Sequence, residues 1–477
     1  RDSPCVGMLV VMLISGYIPF GKTSMLYSDM YHQYYPFFLA FRRSLRQGQS
    51  LLYNWSIGMG VDYLGLISYY LASPLNLLSV LLPEKWLLGY FTLLTPIKLG
   101  FAGLFFSLFL QKLYGKKDFA VVAFSAFYAL CAWALGFHWN IMWMDTFALL
   151  PLVILGEIAL LREKRFFLYT ATLFLAIYAN YYVGFFVCIF VALVFFCYEI
   201  CRFPGWKRAG LDLVRIAIFS LLAIGMTAVL ELPTLAALQT TQSSINAFPK
   251  GFRQNIASEN TWKGLLDAMR QVAGNMGGSL EPTFKEGLPN VYCGIISVFL
   301  MMPYLLARQV KTRDKVCAAV LLTFFNVSFI IRQLDYIWHG FHFTNMIPYR
   351  FSFLYSFVVL YMAYRAWLLR REFSTGKILA AAVLAAGVLA CSDQLTETIE
   401  LELFGTQWNF PLYFVYNFIL LTLYLLAMLS GNALEPIPEE AEPEEIARIR
   451  AENTAQRRRS RALVLGVVCV ELIENLI

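Results

Sequence analysis

Residues 183–201 read VGFFVCIFVALVFFCYEIC, and Arg202, Lys207 and Arg208 follow them closely. An apolar run of that length, wound at about 1.5 Å per residue, crosses the roughly 30 Å of hydrocarbon in a bilayer. The basic residues behind it mark the end expected to stay in the cytoplasm. The whole chain has the same character. Of 477 residues, 59% are hydrophobic and 14% charged, with a mean hydropathy of +0.60. That leaves too little polar surface for a water-soluble domain, whereas 41 Phe, 27 Tyr and 10 Trp suit lipid-facing walls and interfacial belts.

Working outward, comparable runs are predicted near 5–21, 87–111, 119–137, 143–161, 167–181, 183–201, 210–230, 290–307, 316–331, 350–369, 376–392, 410–430 and 461–477, about thirteen in all. The 167–181 run is short, so Asn180-Tyr181-Tyr182 is expected to turn tightly into the next span. Basic clusters at Lys112 to Lys117, Arg162 to Arg165, Arg202 to Arg208, Arg308 to Lys315, Arg365 to Arg371 and Arg448 to Arg461 all fall on one side of this count. The positive-inside bias makes that side cytoplasmic, with the N-terminus inside and residue 477 outside. Membrane orientation therefore accounts for the net charge of +7, and no nucleic-acid partner is required. The nine cysteines show neither disulfide nor metal-ligand spacing and read as small buried hydrophobes.

The expected organisation is an all-α polytopic membrane module over 1–430, a charged cytoplasmic linker over 431–460 and a further transmembrane helix over 461–477. The last span ends on Asn475-Leu476-Ile477 without a polar flank, so an extracytoplasmic domain is expected beyond it. Three outside segments, 22–86, 231–289 and 332–349, carry nearly all the polar groups that could do chemistry. The first contains Tyr27-Ser28-Asp29-Met30-Tyr31-His32-Gln33-Tyr34-Tyr35-Pro36-Phe37, with Asp29 set just beyond the opening span. Phe37 to Leu45 then form an amphipathic helix suited to the membrane–water boundary, and Tyr69-Tyr70 begin another short helix before Pro83.

The second segment holds Arg253 among amide and hydroxyl side chains, and its Gly-rich piece lacks the lysine of a phosphate-binding loop. The third holds Trp338, His339 and His342 and leads into Arg350 at the start of a span. All four histidines, His32, His138, His339 and His342, fall on this face, although no His-Glu-x-x-His zinc pattern is present. A divalent cation is left open as a cofactor. Asp145 reads as a helix cap or a site residue, and Glu471 inside the last span reads as functional or paired.

The segments Ser28 to Phe37, Gly58-Met59-Gly60 with Tyr69-Tyr70, and Trp338-His339-Gly340-Phe341 with Pro348 to Phe353 resemble the bacterial YfhO-like membrane proteins along the whole chain. That resemblance implies a glycosyltransferase of the C superfamily (GT-C) fold, with a catalytic carboxylate in the first outside loop. It also implies an undecaprenyl-phosphate-linked sugar donor and a lipoteichoic or wall teichoic acid acceptor. Asp29 is the matching catalytic residue. The residues fit such chemistry. A carboxylate can take the acceptor proton, and Arg350 can hold the departing lipid phosphate. Tyr69, Tyr70 and Trp338 offer faces to a sugar, while His32, His339, His342 and Arg253 offer polar contacts to the substrate. These groups are expected to converge on one cavity with a lateral apolar opening. Membrane lipids and other wall-polymer glycosylation proteins are the further partners considered. A lipid or polymer transporter is the competing reading.

Overall fold

A computed structural model describes residues 3–240, 268–269, 271–272, 288–344, 346–390, 398–403, 406–431 and 442–474, with the backbone alone at 3, 398–403, 406–414 and 474. The described chain is nearly all helix. Four helices are each long and apolar enough to cross a membrane: Glu84–Tyr114, Met144–Glu163, Tyr181–Arg202 and Trp206–Leu238. Shorter apolar helices run over Pro4–Ile14, Phe119–Ala129, Phe167–Ala179, Ile295–Leu306, Thr375–Ala390 and Val415–Ser430. The thirteen expected spans are thus matched in part. The run expected at 5–21 is helical only to Ile14, where a left-handed Gly16 turns the chain and Tyr17 bridges to Thr23.

The run expected at 119–137 is broken after Ala129 and resumes at Ala132–Phe137. Across this break the Ala132 N–H donates to the carbonyl of Tyr292, a tertiary partner in place of a helical one. The charged segment and the last apolar run, expected as separate units, form one continuous helix, Pro443–Glu474. A two-stranded antiparallel hairpin, Thr398–Leu403 with Thr406–Pro411, departs from the all-α expectation.

Most of the bundle packs around the 87–114 and 144–163 helices, which contact each other and the 119–129, 167–179 and 181–202 helices. Gly156 makes one of these approaches tight. A Cβ there would lie 2.5 Å from the backbone nitrogen of Tyr169, so only hydrogen lets the two helices come so close. Glu471, which sequence reading leaves either functional or paired, is fully buried as a structural anchor. Its Oε1 accepts from the Tyr292 hydroxyl and the Ile295 N–H, both at 2.5 Å, and its Oε2 from the Tyr424 hydroxyl at 2.6 Å. A carboxylate saturated by three donors ties the last helix to two others at a depth where an unpaired charge would be costly.

The first long loop is the most elaborate part of the fold. Its Tyr35–Gln47 helix turns Phe38 and Phe41 into the protein core, so its apolar face packs inward where a membrane-surface position was expected. Arg42 on this helix is buried and donates to the carbonyls of Ser79 (3.0 Å) and Leu82 (2.6 Å), satisfying the end of the following helical turns. Tyr63–Leu71 and Pro74–Leu81 form an apolar pair bent by 108°, the shape of a broken span or a re-entrant loop. Pro74 disfavours helical backbone at Ser73, and the Asp62 carboxylate starts the first limb by accepting from the Gly65 N–H at 3.0 Å. This bent pair carries Tyr69 and Tyr70 into the bundle.

Candidate functional site

Asp29 opens a short π-wound turn, Met30–Tyr34, that runs directly into the Tyr35–Gln47 helix. Within that turn Asp29 and Gln33 lie four residues apart on one face, and the Gln33 amide donates to the Asp29 carboxylate at 3.1 Å. Gln33 in turn accepts from the Tyr70 hydroxyl at 3.2 Å. Beside this relay Tyr34 is buried, donates to Asn140 Oδ1 at 2.9 Å, stacks on Trp139 and meets Tyr70 at 5.6 Å between ring centroids. The Arg42 and Arg43 side chains make no ion pair with Asp29 among the described residues, and Gln33 is its recorded side-chain partner.

From Tyr70 the cluster continues toward Arg350. Tyr69 packs on Tyr70 at 4.7 Å, accepts from the Trp143 indole at 3.3 Å, and its carbonyl takes a 2.8 Å bond from Asn180. Asn180 is the turn expected from the sequence. It caps the Tyr181–Arg202 helix by accepting from the Val183 N–H at 2.8 Å. The Arg350 guanidinium lies 5.2 Å from the ring centres of both Trp143 and Tyr182, a pair of aromatic faces that stabilises a cation. Two of its nitrogens donate to the carbonyls of Ile347 and Met346, at 3.0 and 3.1 Å.

Electrostatics tie the two ends of the cluster together. Tyr34 and Tyr70 each feel both the Asp29 carboxylate and the Arg350 guanidinium, so the two charges share one neighbourhood. The Tyr34 phenol is pushed well up by burial and, to smaller extents, by Tyr69 and Asp29, so it acts as a hydrogen-bond donor and not as an acid.

Left-handed non-glycine backbone occurs at both of these places, and otherwise among the described residues at two helix C-termini, Lys164 and Phe203. Ser28, just before Asp29, has φ +46°, and Phe341, Ile347 and Tyr349, in the loop entering Arg350, have φ of +63°, +60° and +59°. Left-handed backbone is unfavourable for non-glycine residues, most of all for a β-branched one such as Ile347, and concentrates where geometry serves a site.

The other expected residues divide clearly. His342 is half-buried with its ring 5.7 Å from Tyr182, and its pKa is pushed down to about 4 by burial first, then by His339 and Arg350. It is therefore a neutral imidazole at neutral pH. His339 is fully buried, with Nδ1 2.8 Å from the Asp335 carbonyl and 3.0 Å from its carboxylate, so it borders the cluster from behind. Trp338, expected at the mouth, is instead a core residue, stacked on Phe351 at 4.6 Å and on Phe325 at 5.6 Å. His32 is exposed against Tyr31, on a different side of the turn from Gln33. Arg253 lies outside the described residues.

Sequence reading missed Gln33, Asn140, Tyr182 and Lys98, and took Trp143 for a belt residue. Lys98 carried the clearest signal, a lysine in the middle of the 87–111 run. It is buried and paired with Asp145 at 2.6 Å, and Asp145 also accepts from Ser73, at 2.9 Å, at the bend of the broken pair. Asp145 is thus a fastening for the bent pair. Beside it opens an apolar recess of about 130 Å³ lined by Leu75, Phe101, Leu149 and Leu175 with Lys98 and Asp145. Among the described residues no three His, Cys, Asp or Glu side chains gather closely enough to hold a metal ion.

A polytopic helical chain with a carboxylate and an aromatic-flanked arginine joined through tyrosines at one end of its bundle is a membrane protein equipped with a polar site. The chain belongs to the family described as bacterial membrane protein YfhO, which matches residues 3–477. No curated protein and no solved structure shows a significant match to it.

Proposed function

We propose that the protein is a glycosyltransferase that moves a sugar from an undecaprenyl-phosphate-linked donor to an extracytoplasmic cell-wall polymer such as lipoteichoic or wall teichoic acid. The observation that carries this reading is the run of contacts that leads from Asp29 through Gln33, Tyr70, Tyr69 and Trp143 to Arg350, in a chain of the YfhO family. In the proposed reaction Asp29 accepts the proton of an acceptor hydroxyl as that oxygen bonds to the anomeric carbon. The bond from the anomeric carbon to phosphate oxygen breaks, and its electron pair leaves with the lipid phosphate.

Arg350 receives that phosphate through its remaining donors, while Trp143 and Tyr182 hold the guanidinium in place. Gln33 orients the carboxylate, and Tyr69 and Tyr70 offer ring faces to the sugar. The recess beside Leu75 and Phe101 suits the first isoprene units, because apolar chain gains by leaving water while phosphate needs polar partners. Purified protein given labelled undecaprenyl-phosphate sugar and a teichoic-acid acceptor transfers label on this reading. Failure across plausible donors, with the fold verified, overturns it.

A second reading, a lipid or polymer transporter, is favoured by the 108° broken helix pair and by a separate cavity of about 580 Å³ lined by Phe109, Ile158 and Phe190 with Arg162, Arg202 and Lys311. Sugar transfer by detergent-solubilised protein, where no membrane separates two compartments, decides for the enzyme.

A further inference from the structure

Away from Asp29 and Arg350, a recess of about 330 Å³ lies where the 353–369 helix ends, the 412–430 helix ends and the 443–474 helix passes. Five arginines line it: Arg370 and Arg371 from one segment and Arg457, Arg458 and Arg461 from another. Two are engaged locally. Arg461 pairs with Asp118, and Arg370 donates to the Trp367 carbonyl at 2.8 Å while lying 4.1 Å from the Trp367 ring centre. Among the described residues, no carboxylate pairs with Arg371, Arg457 or Arg458. Arg370 is crowded, and its pKa is pushed down to about 10 by burial first and then by Arg461 and Arg371.

Orientation in the membrane needs basic residues only somewhere in a loop. It does not require two segments far apart in sequence to pool their guanidiniums in one recess. The floor of that recess is apolar, made by Trp367, Met428 and Val464. The walls are held by the Ser460 hydroxyl, which donates to the Ala427 carbonyl at 2.5 Å, and by the Gln456 amide, which donates to the Ser430 carbonyl at 3.0 Å. The sequence fixes its depth. Arg457 to Arg461 immediately precede the apolar run ALVLGVVCV over 462–470, the arrangement that sets guanidiniums at the headgroup layer when such a run enters the hydrocarbon.

We propose that this recess is a second binding site, distinct from the Asp29 cluster, for a phosphate-bearing headgroup at the basic end of the bundle. Arg371, Arg457 and Arg458 supply the cations, none of them paired with a carboxylate among the described residues, and Trp367 and Val464 supply apolar contact. The proposal stands whether or not the protein transfers sugar.

The test uses the purified full chain in zwitterionic detergent, titrated with dioleoylphosphatidylglycerol or dioleoylphosphatidylcholine and read by native mass spectrometry. Phosphatidylglycerol is retained over phosphatidylcholine. The combined variant Arg371→Gln, Arg457→Gln and Arg458→Gln binds it about a hundredfold more weakly, a factor of about five for each cation lost. The corresponding triple lysine variant stays within about tenfold of the unaltered protein, since charge is kept. Arg448→Gln, at an exposed position paired with Glu445, changes nothing.

Two soluble competitors identify the source of the phosphate. Displacement by glycerol phosphate or pyrophosphate means that the recess reads a phosphate alone, and resistance means that it reads a lipid headgroup with its chains. Photoreactive phosphatidylglycerol on the unaltered protein labels peptides from 428–464, a readout that depends on no variant. Equal retention of the two lipids, or undiminished binding by the glutamine variant, overturns the proposal.

Discussion

Lys98→Met probes the fastening beneath the candidate site. Lys98 Nζ lies 2.6 Å from Asp145 and 2.9 Å from the Ile141 carbonyl, with the two side chains of the pair 2% and 10% exposed. Removing one partner of a buried pair strands the other charge, at about 3–5 kcal/mol. The Ser73 hydroxyl still donates to Asp145, and the residual exposure of that carboxylate softens the loss, so the lower end, about 3 kcal/mol, applies. Replacing both partners by apolar groups removes the stranded charge, and Lys98→Met with Asp145→Leu should return to within about 1.5 kcal/mol of the unaltered protein. Reversible unfolding in mixed micelles, followed by tryptophan fluorescence, measures both. A single variant that loses less than about 1 kcal/mol, or a double variant that loses the sum of the two singles, would refute the reasoning.

Arg350→Lys keeps a charge but gives up the planar face held between Trp143 and Tyr182, so polyprenyl-phosphate affinity should fall about tenfold or more in an equilibrium binding assay. Unchanged affinity would remove Arg350 from phosphate recognition. Glu471→Leu leaves the Tyr292 and Tyr424 hydroxyls and the Ile295 N–H without their acceptor, and should cost roughly 3 kcal/mol or more in the same unfolding assay. His342 has a folded pKa of about 4, below its ordinary value, so protonation favours the unfolded chain. Its contribution is present above about pH 6.5 and is lost as pH falls toward about 4. His342→Gln should flatten that limb of the stability profile, and an unaltered limb would assign it to other groups.

Some of this structure was legible in the sequence because it is local. Asn180 as a turn follows from a short apolar run ending close to the next one, and Asp29 as a polar residue beyond the first span follows from hydropathy alone. The broken pair at 63–81 was only half legible. Pro74 marks the bend, but whether the two limbs lie on a surface or enter the bundle depends on Ser73 meeting Asp145 from another helix. The continuous Pro443–Glu474 helix was divided by charge, which sets where a helix meets water and does not end it. Trp338 and His339 lie deeper than expected for a similar reason. They fall between two predicted spans, but Phe325 from one neighbouring helix and Phe351 beside the next pack over Trp338, and Phe351 also meets His339. Lys98 was readable and overlooked, since an ionisable side chain inside a span needs a partner.

The central claim is that Asp29 acts on the acceptor and does not hold the fold. Sugar transfer and donor binding measured on Asp29→Asn and the unaltered protein, in the same purified preparations, test it most directly. Asparagine preserves size and can still bond to Gln33 but cannot accept a proton, so transfer should fall by at least about a hundredfold while donor affinity and unfolding midpoint hold. Transfer within about tenfold of the unaltered protein would contradict the account.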